Sequence, residues 1–68
     1  MSAFNYRVVK DTDDLFRIIE CYYDESKKID GFILAPAIVG QTREELLAEV
    51  ENILKAFHHP VLNQSDLP

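Results

Sequence analysis

Apolar, strand-like sequence runs directly into Gly40-Gln41-Thr42-Arg43-Glu44-Glu45-Leu46-Leu47, and that junction constrains the fold more than any other stretch. Thr42 is placed to accept a hydrogen bond from the backbone N–H of Glu45, and the Glu45 carboxylate to reach back to the N–H of Thr42. Such a capping box marks where strands end and a helix begins. Downstream of it, Leu46, Leu47, Val50, Ile53, Leu54 and Phe57 fall on one stripe of period 3.6, with Glu44, Glu45, Glu49, Glu51 and Lys55 on the rest. The glutamates crowd the first half and Lys55 lies near the end, which complements the helix dipole. His58-His59-Pro60 closes the helix, because a residue before proline avoids helical geometry.

Upstream, three short strands are expected. Residues 4–10 alternate, with Phe4, Tyr6 and Val8 on one face and Asn5, Arg7 and Val9 on the other. Asp11-Thr12-Asp13-Asp14 reads as a turn of Asx type. Residues 15–24 are rich in β-branched and aromatic side chains. Both faces of this segment are largely apolar, which suits a central strand and leaves open which face the helix covers. Glu25-Ser26-Lys27-Lys28 is the next turn. Residues 29–35 make a third strand, with Gly31 at a site suited to a bulge and Pro36 ending the run. The expected fold class is therefore α+β: a three-stranded antiparallel meander packed on one C-terminal amphipathic helix, in the order β-β-β-α. Residues 1–60 form the single domain, and residues 61–68 a tail that is partly disordered.

A chain of 68 residues is near the lower limit for a self-sufficient core. Small scaffolds of this size usually need disulfides, a metal or oligomerisation. One cysteine, Cys21, forms no intrachain disulfide, and no Cys/His spacing matches structural zinc. Oligomerisation is the support left over. One helix covers one sheet face, so a second chain is expected on the other, with Tyr6, Tyr22, Tyr23 and Phe32 as anchors. The net charge of −5 opposes nucleic-acid backbones and anionic membranes and favours a basic protein partner. The N-terminus lacks a signal-peptide pattern and no apolar run spans a bilayer, so the expected location is the cytoplasm.

No residue set reads as catalytic, cofactor-binding or metal-ligating. Glu20 and Asp24 share a strand face but lie about 13 Å apart, too far for concerted work on one bond. His58 and His59 point in different directions and lack a third ligand; they read as dipole partners at the helix end. Cys21 sits among apolar neighbours with nothing to lower its pKa. Asp11–Asp14 lacks the glycine and terminal glutamate of a calcium loop. The leading expectation is a non-catalytic protein-binding module that self-associates. The runner-up is a small enzyme or ligand-binding protein whose site forms at an oligomer interface from Glu20 or His58 and His59.

The order strand–strand–strand, Pro36, then Gly40-x-Thr42-x-Glu44-Glu45-Leu46 opening a helix resembles the HicB-like antitoxin domain, a truncated ribonuclease-H-like β-β-β-α family. The resemblance spans about residues 4–57. It implies a non-catalytic fold of bacterial origin used for homo-oligomerisation and for holding a protein partner, and it carries over no active-site residues. Pro36-Ala37-Ile38-Val39 replaces the Pro-Gly-Cys type segment usual before the family's helix. No helix-turn-helix or ribbon-helix-helix follows residue 60, so the resemblance does not extend to DNA binding.

Overall fold

A computed structural model describes residues 3–68. Met1 and Ser2, included in the expected 1–60 domain, lie outside the described residues. The chain is α+β. Strands β1 (Ala3–Lys10), β2 (Phe16–Tyr23) and β3 (Ile29–Ile33) form the antiparallel meander. Helix α1 (Arg43–Leu54) follows and tightens into a 3-10 turn over Lys55–His58. A short strand, β4 (Leu62–Asn63), then pairs parallel with β1 through Val9 and Lys10, giving the sheet order β3-β2-β1-β4.

The two hairpin turns have the same construction. In the first, the Asp11 carboxylate accepts from the amides of Asp13 (2.9 Å) and Leu15 (3.0 Å), and Asp14 takes a left-handed φ of 61°. In the second, Asp24 accepts from the amides of Ser26 (2.9 Å) and Lys28 (3.0 Å), and Lys27 takes φ 66°. A short Asx side chain that mimics the backbone lets each turn close without glycine. The irregularity in β2–β3 pairing falls beside Gly31, where Tyr22 pairs with Gly31 but Tyr23 pairs with Ile29.

Both aspartates titrate below the usual carboxylate range. Arg17, at 2.6 Å, is the main cause for Asp11, with the Leu15 amide next; for Asp24 it is the Ser26 hydroxyl, then the Lys28 amide. A carboxyl whose folded pKa is depressed stabilises the fold above its unfolded value, about pH 4, and that contribution is lost as pH falls through the folded value. The melting temperature is therefore expected to drop between about pH 4 and pH 2. An Asp11→Asn, Asp24→Asn double variant keeps the Oδ1 acceptors and should show a shallower drop by circular dichroism. Equal slopes would refute this assignment of the acid sensitivity.

The capping box forms with one shift. The Glu45 amide donates to Thr42 Oγ1 at 3.1 Å, but the Glu45 carboxylate accepts from the amide of Gln41 (2.9 Å) rather than that of Thr42. Gly40 lies so close to the first helical turn that a Cβ there would meet the Leu46 nitrogen at 2.5 Å. Its hydrogen side chain is what lets the connection fold back onto the helix start.

Two small cores flank the sheet. On the helix side, Tyr6 and Val8 pack with Ala56, joined by Ile18 and Ile53. On the other side, Val9, Ile19 and Cys21 are fully buried beneath Tyr23, Ile29, Phe32, Leu62 and Leu67. The second face is thus not bare. Residues 61–68, read from sequence as a partly disordered tail, contain β4 and a 3-10 turn (Gln64–Asp66), and two of their leucines lie over that core. Asn63 and Asp66 cap the turn, with the Asn63 amide donating to the Asp66 carboxylate at 2.8 Å. Burial of Leu62 and Leu67 offsets the entropy of ordering the segment.

Candidate functional site

The four aromatic anchors do not form one surface. Tyr6 and Tyr22 alternate onto the helix side of the sheet, while Tyr23 and Phe32 pack on the opposite side. Tyr6 is a core residue, 4% exposed, and its hydroxyl donates to the Glu49 carboxylate of α1. Burial first, then that hydrogen bond and the charges of Glu49 and Glu20, push its pKa well above the ordinary tyrosine value. It therefore remains a protonated donor and pins the helix to the sheet. Tyr22 stacks at a tilt on Phe4, with centroids 5.6 Å apart, and Phe4 meets Tyr6 edge-on. The Tyr23 hydroxyl donates to Asn5 Oδ1 at 2.8 Å and accepts from Arg7 Nη1 at 3.1 Å. Arg7 also donates to the Pro60 carbonyl at 2.8 Å, which fastens the chain leaving the helix across the sheet.

Asp24, Glu20 and Cys21, weighed for chemistry, are committed to the fold. Asp24 anchors a turn, and Glu20 lies in the middle of β2 beside Tyr6 and Tyr22. Cys21 is fully buried, and burial raises its thiol pKa, the reverse of what a nucleophile needs. His58 and His59 are exposed. His59 lines a cleft of ≈ 340 Å³ with Phe4, Asn5, Tyr6, Asn52 and Lys55. Among the described residues no group of three or more His, Cys, Asp or Glu side chains is placed to hold a metal ion. Nor is any described helix long and apolar enough to cross a membrane.

What stands out is α1 itself. It touches the sheet with one flank only: Ile53 and Glu49 meet the sheet, and Ala56 follows on the next turn. The rest of its apolar stripe is uncovered. Leu47 is 58% exposed, Leu54 59% and Phe57 67%, and Leu46 and Val50 are exposed beside them. No residue of the helix is buried. Phe4, Phe16 and Ile33 of the sheet and Ile38 and Val39 of the connection are also exposed. A periodic stripe reports that a helix has an apolar face; it does not report what covers that face. Sequence reasoning assigned the cover to the sheet, and the rotation of the helix about its axis decides otherwise.

The molecule's dimensions agree. Its accessible surface is 5239 Å², against about 4,400 Å² for a compact monomer of this mass. The radius of gyration is 12.5 Å, against about 11 Å for a compact chain of 68 residues. The chain thus exposes about 800 Å² more than a compact monomer of its mass.

No family model matches the chain, and no curated protein or solved structure shows significant similarity to it.

Proposed function

We propose that this chain is a small non-catalytic binding module that self-associates through the uncovered apolar face of α1. The observation that carries the reading is the exposure of Leu47, Val50 and Leu54 on a helix that buries none of its own residues, continued by Phe57 in the 3-10 turn that follows. An exposed apolar patch of this kind, rimmed by charged side chains, is the usual mark of an interaction site. An apolar helix face can be covered by the same face of a second copy, so the chain itself is a sufficient occupant. Support for a non-catalytic role comes from the groups that could do chemistry: the Tyr6 hydroxyl, Cys21 thiol and Asp24 carboxylate each serve the fold. With five excess negative charges per chain, the assembled module suits a basic protein partner. Such a role is regulatory, as in the HicB-like domain that the β-β-β-α order resembles. Sedimentation velocity tests the self-association: a species of twice 7.8 kDa is expected at concentrations of about 10–100 μM. A monomer throughout that range would overturn it.

A further inference from the structure

The geometry points to one arrangement of that dimer: two α1 helices pair antiparallel about a two-fold axis, with Leu47, Val50, Leu54 and Phe57 as the seam. This inference rests on the self-association reading and adds the orientation and contacts. Leu47, Val50 and Leu54 are spaced three and four apart, the a/d spacing with which one helix meets another, and Phe57, in the 3-10 turn that continues the helix, extends the exposed row. Their exposure sets them apart from Ile53, which the sheet already holds. The stripe is therefore divided: one flank closes the monomer and the other is left for a second helix.

Charge decides the orientation. Arg43 aside, the charged side chains of the first two and a half turns are Glu44, Glu45, Glu49 and Glu51, whereas Lys55 and His58 close the helix. A parallel pair would set Glu44, Glu45 and Glu51 of one copy beside the same three of the other, Glu49 being held by Tyr6 on the sheet flank. An antiparallel pair sets each acidic half against the other copy's Lys55 and His58, and opposes the two helix dipoles. It brings Leu47 opposite the second copy's Phe57, and Val50 opposite its Leu54, two apolar layers on each side of the axis. An isologous contact of this kind closes at two copies.

Disulfide capture reads this arrangement directly, because two cysteines bridge only with Cβ atoms about 3.5–4.5 Å apart. Val50→Cys and Leu54→Cys chains are purified separately, then oxidised with oxidised glutathione, alone and mixed. Both sites are exposed, so each variant should fold, and the native Cys21 is buried away from the reaction. The mixture is expected to form the 50–54 disulfide at least tenfold faster than either variant alone. Faster bridging by Val50→Cys alone means parallel helices and overturns the inference. So does a mixture no faster than its components while sedimentation of the unmodified protein still gives a dimer; the interface then lies elsewhere, such as the open edge of β3. A monomer by sedimentation overturns the self-association reading as well.

Discussion

Removal of residues 61–68 is expected to leave the domain unfolded, or nearly so, in the absence of denaturant. The lost segment supplies the β4 ladder to Val9 and Lys10, the Leu62 and Leu67 side chains over Ile19 and Cys21, and the Gln64 acceptor for the Thr12 amide. Covering a leucine contributes about 1.5–3 kcal/mol when complete, so two partly covered ones contribute about 3 kcal/mol together. Val9, Ile19 and Cys21, now fully buried, would face water in addition. A domain of this length has a total stability of roughly 3–10 kcal/mol, so most of it disappears. Urea unfolding followed by circular dichroism checks the result. A Leu62→Ala, Leu67→Ala double variant should fall between the full chain and the truncated one. A truncated chain with the full-length midpoint would show that the second core stands without its cover.

Leu54→Glu is expected to act on association and hardly at all on the monomer. In the monomer the side chain is 59% exposed, and a helix tolerates glutamate about as well as leucine. In the dimer it would carry a carboxylate into the layer opposite the second copy's Val50. Loss of apolar burial and desolvation of the charge together come to about 3 kcal/mol or more, which is about a hundredfold in Kd. Sedimentation equilibrium measures that change. Urea unfolding at concentrations well below Kd measures the monomer alone, since association would otherwise add to the apparent stability. A midpoint lowered as much as the association constant would mean that Leu54 is part of the monomer's core. Unchanged association would remove α1 from the interface.

Local signals in the sequence account for most of the fold, and its larger failures share one cause. The strands, the turns at Asp11 and Asp24 and the helix start at Thr42 are all set by residues within a few positions of one another. Alternation, Asx side chains and a capping box report on such short-range geometry. The matching construction of the two turns, with an aspartate opening each loop and a left-handed residue three positions later, emerged only in the structure, since the second turn reads from sequence as Glu25–Lys28. Two longer-range features were not legible either. The packing of Leu62 and Leu67 depends on Val9 and Ile19, dozens of residues away, and two leucines in a polar segment carry no period. The rotation of α1 depends on Tyr6 meeting Glu49 and on Ala56 being small enough to let the last turn approach β1. The stripe looked the same either way. The proposed site differs for that reason: instead of aromatic side chains on the sheet it uses Leu47, Val50, Leu54 and Phe57 on the helix and the turn that continues it.

Strand β4 is only two residues long, yet it ties the two ends of the chain's connectivity together. Arg7 and Pro60, which it brings into contact, are 53 residues apart in sequence. The hairpins can form as soon as their own residues are available, but this closure waits for nearly the whole chain and bears the largest loop-entropy cost. Until it happens, one side of the sheet is an open apolar surface. On a ribosome, where residues emerge one after another, the meander is exposed in that state until Leu67 has left the exit tunnel. Completion of folding therefore waits for residues 61–68, however early the hairpins form.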